Sequence, residues 1–483
     1  MKPVSIFYHQ SRQGKNNKMI NRYCRSIIGI YILSCSLVIM VPHSLAGYTV
    51  SGKIKNNPIP QIRLLEVYGD QYRVVNKSDI SEQGEFIFNL DNNNPPGMYR
   101  VDLGKGKIVN LIYNNEDIVF DIDYDPVRKD IKNVAFSKSK ENRLLRDFIN
   151  REKRINRKKR ILHKTLNSYS KDDSFYKILK DQLDKIIIEK SDFYNDLLNK
   201  SSGTFAGKMI RWFKDDHVDC KENAGCTDAY FTKIHFSDPE ILHTDILTRK
   251  IKSYLQNKEE KSDSGENPEE ESKKFINKIM RLADENNEIK SYVIEFLLRR
   301  YERKGFEKIY IYIADTYASK IFNKETDNSF MDMIAAKSDA FKRLSIGKTA
   351  PDFILPGTDP EIKISEKDFK YGLVLFWRSD CPHCENLILD LESLYSNNSF
   401  KDLEIFPIPL DDSKEELGLF LKKNPLPWNV YYDFNEGYID PKIQEDYFIL
   451  SVPTMYLLDS ERRIMAKTSD IDELNATIEG MVN

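Results

Sequence analysis

Residues 372–396, GLVLFWRSDCPHCENLILDLESLYS, constrain the fold more than any other stretch of this chain. The run from Gly372 to Trp377 is apolar at every position. It has no face to offer water and suits a central strand covered on both sides. From Cys384 onward the apolar residues recur at helical spacing. Between strand and helix stand two cysteines, separated by Pro382 and His383. A buried strand feeding directly into a helix requires an α/β layer structure, and the flanking segments agree. LEIFPIPL and SKEELGLFLKKN read as a second strand and helix, NVYYD as a short strand and DPKIQEDYF as a short helix. SVPTMYLLD with RRIMAKT reads as a hairpin, and IDELNATIEGMV as a closing helix. The turn residues of IGKTAPDFIL mark the entry to this α/β domain, residues 346–483.

The setting of the cysteines points to redox chemistry. Cys381 falls at a helix N-terminus, where unsatisfied N–H groups and the positive end of the helix dipole favour a thiolate. Cys381 is therefore the expected nucleophile. Cys384, about one turn further in, is the expected resolving thiol of a disulfide exchange. Two structural roles compete with this. Zinc needs four ligands, and this domain has neither a second CxxC nor an HxxxH after the motif. A structural staple between Cys381 and Cys384 would close a loop too small to stabilise the fold much. The reading is a redox-active pair, with no metal and no further cofactor.

The rest of the chain falls into two regions of different periodicity. Residues 47–135 carry short segments of alternating apolar residues, such as YTVSGKI, GEFIFNL and DIVFDIDYD, punctuated by Gly, Asn, Asp and Pro. This is the pattern of a small all-β sandwich or barrel. Residues 136–345 read as helical, with apolar residues three and four apart, interrupted by a polar insertion near 257–274 that reads as a loop. Within the helical region REKRINRKKR, residues 151–160, is strongly basic. It reads as the solvated face of a long helix rather than a nucleic-acid surface, because no base-reading motif accompanies it. The near-neutral net charge of −2 also gives no reason to expect a nucleic-acid partner.

The N-terminus has the order of a secretory signal. Six basic residues between Lys2 and Arg25 precede the uncharged run 26–41, and Ser44 and Ala46 are spaced as at a signal-peptidase site. Residues 1–46 are read as a signal peptide cleaved after Ala46. An uncleaved anchor, or lipidation at Cys35, are the alternatives. This implies export to a periplasm or cell envelope, with any membrane contact made through this segment. The mature chain then keeps four cysteines, an even number suited to an oxidising compartment. Cys220 and Cys226 sit in a polar loop with Gly225, where closure into a structural disulfide is geometrically easy. A relay pair, or reduced or metal-bound thiols, are the other readings.

PDF, GLVLFWRSDCPHC and ILSVPTMYLLD together resemble a thioredoxin-fold domain of the TlpA/ResA type, over residues 346–483. The β region resembles the domain that often precedes such thioredoxins in exported proteins of Bacteroidetes. The resemblance implies a cis peptide before Pro453, a substrate-pairing backbone at Val452, and an active-site aromatic at Trp377. It implies thiol–disulfide exchange with exported proteins, driven by an upstream membrane electron donor or acceptor. The chain departs from the pattern where Leu375 and Leu387 replace carboxylates found in relatives. The Pro382–His383 dipeptide resembles that of a strongly oxidising periplasmic oxidase, and a histidine there can favour the Cys381 thiolate. A reductase-type oxidoreductase is the leading expectation. A disulfide oxidase or isomerase, and a binding or scaffold protein with a secondary redox domain, stand beside it. A peroxidase is disfavoured because Arg378 replaces the threonine expected three residues before its cysteine.

Overall fold

The computed structural model describes residues 47–483 except 57–58, 92, 214–229, 233, 260–267, 322–327, 397–401, 434–438 and 483. The basic and apolar N-terminal segment, the expected cleavage site and the Cys220–Cys226 pair all lie outside the described residues.

Period-two alternation generates eight strands: β1 (Tyr48–Lys55), β2 (Gln61–Tyr68), β3 (Gln71–Asp79), β4 (Glu85–Leu90), β5 (Gly97–Asp102), β6 (Ile108–Tyr113), β7 (Ile118–Asp125) and β8 (Asp130–Lys138). They form two sheets, ordered β4-β1-β7-β8 and β3-β2-β5-β6. All pairings are antiparallel except β1 with β7. Val50, Phe88 and Phe120 from one sheet share a core with Leu64, Tyr99 and Leu111 from the other, which makes this a sandwich. β8 was not among the strands expected from sequence, and it carries the β region three residues past 135. Only Val134 is buried along it, so this polar edge strand has little alternation to read.

The second sheet uses its outer face as well. Val67, Met98 and Ile112 join the core of the helical region. That region contains α1 (Lys140–Leu166), α2 (Ser174–Lys200), α3 (Phe205–Phe213), α4 (Ile246–Glu259), α5 (Pro268–Ala283), α6 (Asn287–Arg303), α7 (Glu307–Ile313) and α8 (Asn328–Arg343). The β2–β3 turn inserts against α6, where Asp70 N–H donates to Tyr292 Oη at 2.8 Å and Arg299 donates to Asp70 at 2.9 Å. Gly69 at this turn has φ +59, and a Cβ there would lie 1.8 Å from Tyr292 Oη. The polar insertion is shorter than expected. α4 reaches Glu259 and α5 starts at Pro268, because Pro-Glu-Glu-Glu is a favourable first helical turn.

The C-terminal domain contains β9 (Tyr371–Trp377), α9 (Pro382–Ser396), β10 (Leu403–Pro409), α10 (Lys414–Lys423), α11 (Pro441–Asp446), β11 (Thr454–Asp459), β12 (Ile464–Thr468) and α12 (Ile471–Val482). Its sheet runs β10-β9-β11-β12, with β9 parallel to β10 and antiparallel to β11. β9 is central and buried from Gly372 to Trp377, as its unbroken apolar run requires. The NVYYD segment forms no strand. Tyr431 N–H reaches Pro407 O at 3.1 Å, but Pro407 and Pro409 offer β10 no N–H with which to build a ladder. Lys467 of β12 donates to both carboxylate oxygens of Glu307 at 2.5 Å, which ties this domain to α7.

Candidate active site

β9 ends at Trp377 and α9 begins at Pro382, so Cys381 occupies the position just before the first helical turn. Its Sγ accepts the backbone N–H of Cys384 at 3.4 Å, and its carbonyl accepts Glu385 N–H at 3.1 Å. The sulfur thus caps a backbone N–H left free at the helix start. Both cysteines are present as thiols, Cys381 partly exposed and Cys384 fully buried. Burial pushes the Cys384 thiol up to about 12, and its hydrogen bond with Cys381 adds to the effect. Two chemically identical groups three residues apart therefore differ sharply: one is reachable, the other is shielded and keeps its proton.

The Val452–Pro453 peptide, which is cis, comes from the loop before β11. It lies opposite the dithiol, and Cys381 Sγ is 3.9 Å from Val452 O. Pro382 and His383 are exposed on the first turn of α9. Among the described residues no hydrogen bond joins His383 to Cys381; that sulfur is met by the backbone N–H and the thiol of Cys384. Trp377 is fully buried beneath the motif, 5.3 Å from the Phe420 ring, and its indole N–H has no partner among the described residues. Leu375 and Leu387 are both buried, so apolar packing fills the two positions where the resemblance raised the expectation of a carboxylate.

Sequence reasoning missed a polar bracket beside the motif. Asp411 is buried and accepts Ser379 N–H at 3.0 Å together with the Ser379 hydroxyl. Burial raises its carboxyl above the usual range, and the Ser379 hydrogen bonds oppose that shift. Arg378 donates to Leu410 O and to Asp380 at 2.9 Å each, and pairs with Asp412 at 3.0 Å. Its guanidinium holds Asp380 below the ordinary carboxylate range. The available signal was topological. Parallel β9 and β10 end on the same edge, so RSD after one strand and LDD after the other are brought together.

This geometry agrees with the comparisons to known proteins. Residues 346–467 match the AhpC/TSA family. A thiol-disulfide oxidoreductase ResA from Bacillus thuringiensis is 29% identical over 126 residues, covering 26% of this chain and 69% of the relative. A thioredoxin-like protein from Bacteroides caccae aligns over 52% of this chain and 89% of its own, with 17% identity and a TM-score of 0.41. The thioredoxin domain of a thiol-disulfide oxidoreductase from Bacteroides vulgatus aligns over 29% of this chain and 99% of its own, with 25% identity and a TM-score of 0.26. The strand–CxxC–helix unit facing a proline loop defines the C-terminal domain as thioredoxin-like, of the thiol–disulfide oxidoreductase class. Within that class it is of the TlpA/ResA type, here carried behind a β-sandwich and a helical region.

Proposed function

We propose that the chain reduces disulfides of exported proteins through Cys381 and Cys384. The observation that carries this is the asymmetry of the pair, an accessible sulfur at a helix start beside a buried thiol that keeps its proton. The Cys381 thiolate attacks one sulfur of a substrate disulfide, forming a mixed disulfide and releasing one substrate thiolate. Cys384 then loses its proton and attacks Cys381 Sγ. The second substrate thiol leaves, and Cys381–Cys384 becomes a disulfide. Two electrons pass to the substrate, and an upstream membrane dithiol donor returns them to the enzyme. The pair itself is the redox group, so no cofactor is required. The cis-proline loop supplies the Val452 backbone as a pairing edge for an extended substrate segment.

Reduction is proposed over the oxidase alternative on the similarity of the C-terminal domain to ResA. A redox titration of the full chain against glutathione tests it. A potential near or below that of thioredoxin, about −270 mV, supports reduction, and one close to about −120 mV assigns the chain to the oxidases. Insulin reduction that survives Cys381→Ser would leave a binding or scaffold role as the function.

A further inference from the structure

α1 and α2 form a two-helix arm whose outer half packs against nothing else among the described residues. No residue from Asn156 to Ile178 is buried. At 1.5 Å per residue, the stretch of α1 beyond Ile155 reaches about 16 Å outward. The ion pairs Arg151–Glu189 and Lys190–Glu152 fix the register of the two helices, which sets Ile161 level with Ile178. The end of the arm exposes Ile161 (57%), Ile178 (56%), Phe175 (41%) and Tyr169 (40%), with the last two rings in contact at 5.0 Å. Around them, between Asn156 and Ile178, seven lysines and arginines stand against two acids, a net +5 on a chain of net −2. Lys158 pairs with Glu189, whereas Arg157, Arg160, Lys164, Lys171 and Lys177 make no ion pair among the described residues, so these five charges stay open to a partner. Of the two acids, Asp173 is engaged in capping α2 through Phe175 N–H.

We infer that this arm docks on an anionic lipid surface, with Ile161, Phe175, Ile178 and Tyr169 entering the headgroup boundary and the surrounding lysines and arginines meeting lipid phosphates. Charge sets the sign of the partner. The form of the arm favours a bilayer over an acidic protein. Its apolar side chains are spread over a projecting tip rather than gathered in a groove, and a deformable surface can accept them while long basic stems keep their charged ends at the phosphates. The solvated face expected from the REKRINRKKR run is thus half of an amphipathic device whose other half is supplied by α2. This inference does not depend on the thiol chemistry.

The test places Phe175→Trp in the full chain as a local reporter. Trp212 and Trp377 are fully buried and Trp428 is half-buried in the C-terminal domain, so the unsubstituted chain, which carries the same three tryptophans, supplies the background to subtract. With phosphatidylglycerol vesicles the emission should move to the blue, and with phosphatidylcholine vesicles or in high salt it should not. Adding Arg157→Gln, Arg160→Gln, Lys164→Gln and Lys177→Gln should weaken the apparent affinity read by this signal at least about 100-fold, given about fivefold per charge. Far-UV circular dichroism checks that these exposed substitutions leave the fold intact. An unchanged spectrum while the chain sediments with vesicles would overturn the proposal, by assigning binding to another segment. An equal shift with polyglutamate would also overturn it, in favour of an acidic protein partner.

Discussion

Asp411 holds Ser379 by both its backbone N–H and its hydroxyl, and Ser379 stands two residues before Cys381. The contact ties the loop that carries the nucleophile to the end of a neighbouring strand. Asp411→Ala removes the acceptor for two donors at once. It should cost about 1–3 kcal/mol of stability, the range for leaving buried polar groups unpaired. Asp411→Asn keeps an oxygen in place and removes a charge that burial disfavours, so it should recover most of that loss. Urea unfolding of both variants measures this, and equal losses would contradict it.

The burial of Cys384 predicts one-sided reactivity. At pH 7 to 9 iodoacetamide should modify Cys381 in the reduced protein and leave Cys384 untouched, because Cys384 keeps its proton to about 12 and is fully buried. Peptide mass mapping after limited alkylation reads this directly. Modification of Cys384 at a comparable rate would contradict the assignment of roles.

The same shift has a consequence for stability. In the fold the Cys384 proton is held to about 12, whereas an unfolded cysteine loses it near 9.0. Between these values the unfolded state binds fewer protons, so the stability of the reduced protein falls as pH rises through this window. Cys384→Ala removes the titration, and its loss of stability from pH 8 to 11 should be the shallower of the two. Parallel curves from urea unfolding across that range would refute the prediction.

The strand–CxxC–helix unit was legible because its information is local. An apolar run names the buried strand, and helical spacing names the helix after it. β8 escaped because an edge strand with one buried residue carries almost no pattern. The first turn of α5 escaped because a Pro and three acids look like loop composition, although they are also a good helix start. The Ser379–Asp411 bracket joins residues 32 apart in sequence. It becomes visible only once β9 and β10 are known to lie side by side and parallel. His383 is next to the dithiol in sequence, and the first turn of α9 leaves its side chain exposed, with no hydrogen bond to Cys381 among the described residues.

The docking of the domains on one another also rests on specific contacts. Lys467 donates to both oxygens of Glu307, and both side chains are largely buried. Lys467→Met should lower stability by about 1–2 kcal/mol, because it leaves a carboxylate without its charge-assisted partner. Thermal unfolding should show the loss. No change would mean that the pair contributes as little as an exposed one.

The central claim is that Cys381 attacks and Cys384 resolves. Trapping tests it most directly: the full chain carrying Cys384→Ser is reacted with glutathione disulfide, and the product is read by intact mass and peptide mapping. One glutathionyl group held stably on Cys381, and absent when Cys384 is restored, is the predicted result. No adduct at Cys381, or an adduct that persists equally with Cys384 present, would contradict the account.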